Sequence, residues 1–283
     1  MQYGFVIPGG DVHTIADLAH EAEVAGWDGV FIPDCICIEG LEDPAFLGFD
    51  PWVVLSAMAM RTERVKLGTM LTAISRRRPW KLARELTTLD HLSRGRMILS
   101  VGLGALDDAG FGKVGEATDR KTRAELMDEA LDILAGLWSG KPFSYEGQHY
   151  KIGEMTFLPT PVQTPRIPVW VVGAWSAEKS MQRALRWDGL LPTKRGENGS
   201  FGGVTPDDIR AMKSYIDTHR TATTPFDIIW EGETPGDNPD QAASVIGPFE
   251  EAGLTWWMET MWNSPDGLES VRKRINQGPP HLD

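Results

Sequence analysis

The chain has 283 residues, 41% of them hydrophobic, with 28 Lys and Arg against 40 Asp and Glu and a formal net charge of −12. That length suits one large core, and an α/β barrel takes it as a single domain over residues 1–283. The negative field argues against nucleic acid and anionic membrane as partners; no apolar run approaches the ~20 residues of a membrane helix, and the opening MQYGFVIPGG lacks the charged and apolar regions of a leader, so a cytoplasmic protein is expected.

In chain order, short β-rich runs alternate with amphipathic runs of helical period. YGFVIP (3–8) predicts the first strand and TIADLAHEAEVAGW its helix, with Thr14 as N-cap, Asp17 three residues on as in a capping box, and Gly26 as the stop. DGVFIPD (28–34) is the second strand. Cys35 and Cys37 sit two apart and read as one strand, a pattern of neither a disulfide framework nor a zinc site. Residues 50–62 form a helix with Pro51 in its first turn, and VKLGTML (65–71) is the third strand. Residues 79–93 place Leu82, Leu86 and Leu89 on one helical face; RMILSVGLG (96–104) is the fourth strand; residues 123–140 form the next helix. Strands at 167–174, 188–194, 226–232 and 254–262 then alternate with helices at 176–187, 205–220, 238–252 and 264–276.

Eight strand–helix units predict parallel strands closed into a (β/α)8 TIM barrel. An open doubly wound sheet is the alternative, and no G-x-G-x-x-G follows the first strand to support dinucleotide binding. GWDGVFIP (26–33) and RWDGLLP (186–192) echo each other four units apart, either as two similar halves or as a reused helix-to-strand turn. Residues 105–122, polar and Gly-rich, read as a mobile loop at the active face, and residues 141–166 as a hairpin with a Pro-rich return.

In this fold the site lies at the strand C-termini. The chain has six histidines but no His-x-His and no Ser in a nucleophile elbow, so neither a metal centre nor a catalytic triad is predicted, and no catalytic residue is assigned. Few acid–base groups stand at the mouth, which points to a bound organic cofactor. Glu231, Glu233, Asp237 and Glu259 would repel a phosphate after strands seven and eight. The basic side holds Arg76, Arg77 and Arg78 after strand three, Arg123 opening the fourth helix, and GAWSAEK (173–179) with Ser176 as helix cap. The three arginines either include one that faces an anion or are solvated charges in ion pairs. In LTWWMETMW, Trp256, Met258, Thr260 and Trp262 share one face at strand period, with Trp262 placed to wall the pocket or to pack.

LGTMLTAISRRRPWKLARELTTLDHLSRGRMILSVGLGA resembles the core signature of the bacterial-luciferase-like family of flavin- or deazaflavin-dependent oxidoreductases: a strand ending L-G-T, an Arg-Pro loop, a Thr-Leu-Asp helix, S-x-G-R, and a strand ending G-x-G. RAELMDEALDILAGLW resembles the family's next helix, and PFSYEGQHYKI with PTPVQTPRIPVWVVGA its hairpin and fifth strand. The resemblance runs in order through roughly two-thirds of the chain. It implies the (β/α)8 barrel, FMN or coenzyme F420 at the strand C-termini, and a homodimer. It also implies a non-prolyl cis peptide at Met70–Leu71 behind the cofactor ring, with Thr72 beside it. Further implied contacts are Leu103 and Gly104 at the cofactor, Gly173, Ala174, Ser176 and Ala177 at the phosphate turn, Arg123 at the phosphate, and Asp34 ending strand two.

The chain departs from the family in two places. The Asp-His pair common after strand two is Asp34-Cys35 here, and the Glu that F420-dependent sugar-phosphate dehydrogenases place two after Leu103 is Ala105. Cys35 reads as a buried inert thiol or a reactive one. Loss of the acid–base pair favours FMN and oxygen. The expected function is an FMN-dependent monooxygenase acting on a small organic substrate, with the flavin reduced by a separate flavin reductase. The alternatives are an F420-dependent hydride transferase and a flavin-binding protein without turnover. Val53, Val54, Met58, Met60 and Trp80 exceed one buried face on the second and third helices, which also predicts a homodimer.

Overall fold

Runs of four to seven residues rich in Val, Ile, Phe and Trp form the strands. The computed structural model describes residues 1–38, 48–195, 201–264 and 266–280. The barrel strands are β1 (Gln2–Val6), β2 (Gly29–Ile32), β3 (Lys66–Thr69), β4 (Met97–Gly102), β5 (Val169–Trp175), β6 (Gly189–Arg195), β7 (Asp227–Gly232) and β8 (Trp256–Glu259). Each pairs in parallel with the next, and β8 returns to β1, so the ring is closed. The helices are α1 (Val12–Val24), α2 (Pro51–Arg61), α3 (Pro79–Leu92), α4 (Arg120–Trp138), α5 (Glu178–Leu185), α6 (Pro206–His219), α7 (Pro239–Glu251) and α8 (Leu268–Asn276). The hairpin pairs Pro142–Glu146 with Lys151–Thr156. Among the described residues no helix is long and apolar enough to cross a membrane.

The barrel interior is plugged, not hollow. Phe31, Trp170, Trp256, Met258, Ile98, Ile229, Leu191 and Val6 form one inner cluster. Phe31 stacks on Trp170 with ring centroids 5.5 Å apart, and Trp170 meets Trp256 edge-on at 5.2 Å. Gly29 and Gly189 make room for these rings: a Cβ at Gly29 would lie 2.8 Å from Phe31, and one at Gly189 2.4 Å from Trp170. The second cluster packs the helices on the outer face of the strands.

The two Trp-Asp-Gly segments are structurally equivalent. Asp28 accepts the Tyr3 amide at 2.9 Å, and Asp188 accepts the Val169 amide at 2.8 Å, each carboxylate tying the turn to the preceding strand. Trp27 and Trp187 are both buried beside those turns.

The S-x-G-R signature is scaffold. Arg96, buried, donates to the carbonyls of Ala59, Thr62, Val65 and Ser93 and to the Thr62 hydroxyl, closing the C-terminus of α2 onto β3 and β4. The Asp of the Thr-Leu-Asp run, Asp90, is fully buried and accepts the Val162 and Gln163 amides and the Gln163 side chain, pinning the Pro-rich return to α3.

Several expectations need correction. Helix α1 is capped by Asp11, whose side chain accepts the His13 and Thr14 amides, and Asp17 instead pairs with Arg61 at 2.6 Å. An Asp one residue before the helix outcompetes a Thr inside its first turn because only the former has the extended backbone a cap requires. Cys35 and Cys37 lie beyond β2, which ends at Ile32, in a loop and not on a strand. Helix α4 starts at Arg120 behind the Asp119 cap, so Arg123 stands one turn inside it.

Candidate active site

The loops after β2, β3 and β4 meet at a knot of charge. Arg77 donates to both Asp34 carboxylate oxygens, at 3.1 and 2.7 Å. Arg76 donates to the Asp34 carbonyl at 2.8 Å and its carboxylate at 3.1 Å, and it pairs with Asp108. Asp108 also accepts the amides of Ile36, Cys37 and Gly110. The side chains of Asp34, Asp108 and Arg76 are at most 5% exposed. The arginine run therefore binds its own chain: Arg76 and Arg77 close the mouth's rim, and only Arg78 is exposed, over the Trp80 ring. Residues 105–122, expected as a mobile loop at the active face, place Asp108 and Phe111 in buried positions. Cys35 is half-buried, and burial, then Asp108 and Asp34, push its thiol up, which disfavours the nucleophilic thiolate.

Arg123 lies behind the end of β4. Its Nη1 donates to the Leu103 and Gly104 carbonyls at 2.9 and 3.0 Å, its guanidinium sits 5.3 Å from the Phe111 ring, and its buried Nε has no partner among the described residues. Gly104 has φ +78°, and a Cβ there would lie 2.7 Å from the Ala73 Cβ. Beyond β5, Ser176 is not the cap of α5. The cap position is Ala177, no side chain caps the helix, and Ser176 and Ala177 are exposed, while Ser180 accepts the Ala174 amide at 2.9 Å. Gly173 and Ala174 are buried in the strand. The peptide bonds Met70–Leu71 and Trp175–Ser176 are both cis and non-prolyl. Thr72 is buried, its hydroxyl 2.6 Å from that of Thr69.

A cavity of about 190 Å³ opens at the strand C-termini. Met70 and Leu71 form one side of it; Val172, Leu191 and Thr193 continue the wall; Ile229, Trp230, Glu231 and Trp262 complete it. Glu231 stands one layer above the aromatic plug; its side chain is exposed to solvent, with protein packed closely around the carboxyl. Burial pushes its carboxyl above the ordinary range, partly offset by the Trp262 indole N–H. A depression of about 320 Å³ lies at the other end of the barrel, lined by Lys213, Arg220 and Phe226 among others, away from these termini.

The model of the luciferase-like monooxygenase family matches residues 2–243. The chain belongs to that family. Within it, an F420-dependent glucose-6-phosphate dehydrogenase of Nakamurella multipartita is 28% identical, covering 95% of this chain and 85% of that one. Its counterpart in Microbacterium testaceum is 33% identical over 95% and 86%. An F420-dependent secondary alcohol dehydrogenase, solved with an F420–acetone adduct, superposes with a TM-score of 0.79 at 17% identity over 100% of this chain and 99% of that one, a likeness of fold. The luciferase-like family is one of oxidoreductases, and this chain is an oxidoreductase.

Of the residues anticipated for the cofactor, Met70 and Leu71 line the cavity. Thr72 stands behind them, and Leu103, Gly104 and Arg123 form a separate cluster at the end of β4. Asp34 is enclosed by arginines. From the amino-acid order alone, Glu231 has only a repulsive role toward phosphate. Its signal was the strand period, which puts Ile229 and Glu231 on one face, and Ile229 lies inside the barrel. Among the described residues no cluster of His, Cys, Asp or Glu is grouped to hold a metal ion.

Proposed function

We propose that this chain transfers a hydride between coenzyme F420 and a small organic substrate. The observation that carries the reading is the F420-dependent relatives that align with 95% of the chain. It favours F420 over the expected FMN-dependent monooxygenase, which rests on two missing family residues and not on a feature that binds oxygen. The residues present suit a ring cofactor. Met70, Leu71, Val172 and Leu191 offer a flat apolar bed at the mouth. The unpartnered Nε of Arg123 and the uncapped start of α5 offer donors to a phosphate. When bound, F420 supplies a hydride acceptor or donor. The chain's part is to hold the ring, place the substrate and handle the proton.

Titration of purified protein with F420 and with FMN, followed by the absorbance and fluorescence of each cofactor, tests the reading. Tighter binding of F420 is expected. Tight FMN binding with substrate-dependent oxygen uptake would restore the monooxygenase.

A further inference from the structure

Resting on that reading, we propose that Glu231 is the catalytic base of this barrel and that its substrate is a neutral or cationic alcohol, not a phosphate ester. Glu231 is the one titratable side chain among the ten residues that line the cavity, and Met70 and Leu71, the bed proposed for the ring, face the same space. No Lys, Arg or His lines it among the described residues. Two neighbouring carboxylates are committed: Asp34 to Arg76 and Arg77, and Glu259 to Arg274 at 3.2 Å, Thr234 and the Trp257 indole. Among the described residues that line the cavity, Glu231 is the one carboxylate.

The charges around Glu231 leave it unneutralised. On β6, Lys194 is bound by Asp208 at 2.8 Å. On β8 the register partner of Glu231 is Met258, and Glu259 turns to the outer face. On β7 itself, Asp227 lies at the far end, bonded to Thr255 and Trp170, and the exposed Glu233 follows the strand. Among the described residues that line the cavity, a phosphate ester would meet one carboxylate and no cation. An alcohol meets apolar walls and one acceptor. Glu231 would take the alcohol's O–H proton on a carboxylate oxygen, and bound F420 would supply the two-electron acceptor for the hydride that leaves the carbinol carbon as it becomes a carbonyl. Crowding that raises the carboxyl brings it nearer working pH, where proton transfer is most efficient.

The test uses the full chain loaded with F420 and offered 2-propanol, cyclohexanol, glucose and glucose 6-phosphate. Glu231→Gln is expected to bind F420 as the wild type does, to lose on the order of 10²–10⁴ in kcat on the uncharged alcohols, and to lose the acidic limb of the pH–rate profile. Glu231→Asp should keep that limb at a reduced rate. Without cofactor, the sign follows from the raised carboxyl: its favourable contribution is complete below the ordinary Glu value of about 4.3 and is lost as pH rises through the folded value. Glu231→Gln should therefore raise Tm at pH 8 and not below pH 4. Wild-type rate and limb in Glu231→Gln, no Tm difference at either pH, preference for glucose 6-phosphate, or oxidation of none of the uncharged alcohols each overturns the proposal. Absence of F420 binding by the wild type instead removes the function reading, and this base with it.

Discussion

Asp108 sits under opposing influences. Burial would raise its carboxyl, but Arg76 and the Cys37, Gly110 and Ile36 amides together hold it below the ordinary range. A depressed carboxyl stabilises the fold fully above the unfolded value of about 3.9 and loses that contribution as pH falls through the folded one. Asp108→Ala, which leaves Arg76 paired with Asp34 but strips the acceptor from the Ile36, Cys37 and Gly110 amides, should cost about 1–3 kcal/mol at pH 7. The deficit should begin to narrow below about pH 4 and close only as pH falls through the lower folded value, as read by urea unfolding across pH. Arg123 makes a different case. Its Nη1 secures the end of β4, while its Nε is unpartnered. Losing a charge-assisted bond of about 1.5–3 kcal/mol to a phosphate weakens affinity on the order of tenfold to a hundredfold. Arg123→Ala should do so for F420, and much less for the ring fragment that lacks the phosphate. Equal losses for both would show that the residue serves only the strand end.

At the scale of elements, the family signature separates into parts that build and parts that border the cavity. Arg96 and Asp90 are remote from the mouth and fully engaged with backbone. Arg96→Met would strip donors from several buried carbonyls, each worth about 1–3 kcal/mol when unsatisfied. A loss of about 3 kcal/mol or more is expected in chemical denaturation, with α2 the first element to lose hydrogen-exchange protection. The L-G-T segment, by contrast, runs directly into Met70 and Leu71 in the cavity wall. One strand thus carries both the register partner of β2 and the proposed bed of the ring.

For the whole molecule, the outer surface of α2 and α3 is less apolar than the sequence suggested, because Val54 and Met58 turn inward and are buried. Val53, Met60 and Trp80 remain outside, at 64%, 70% and 40% exposure. We propose that a two-fold copy covers this patch, since contiguous apolar surface is the usual seat of a dimer. Sedimentation at micromolar protein should show a dimer, and Met60→Glu together with Val53→Glu should yield a folded monomer. A wild-type monomer under the same conditions would remove the interface.

The count of strand–helix units, the parallel ring, the two Trp-Asp-Gly turns and the family signature were all legible in the amino-acid order. Each depends on periodicity or on contacts within one unit, and local pattern encodes both. The arginine run was not legible. Whether Arg76 and Arg77 meet a ligand or Asp34 and Asp108 is a matter of partners 42 and 32 residues away along the chain, brought close only when the barrel closes. Glu231 shows the same limit from the other side. Strand period sends it inward, but only the closed ring sets it above a plug of aromatic rings and opposite Met70 and Leu71. Among the described residues an acidic residue at a strand end is the one carboxylate lining the cavity, because tertiary packing holds Asp34 and Glu259 against arginines elsewhere.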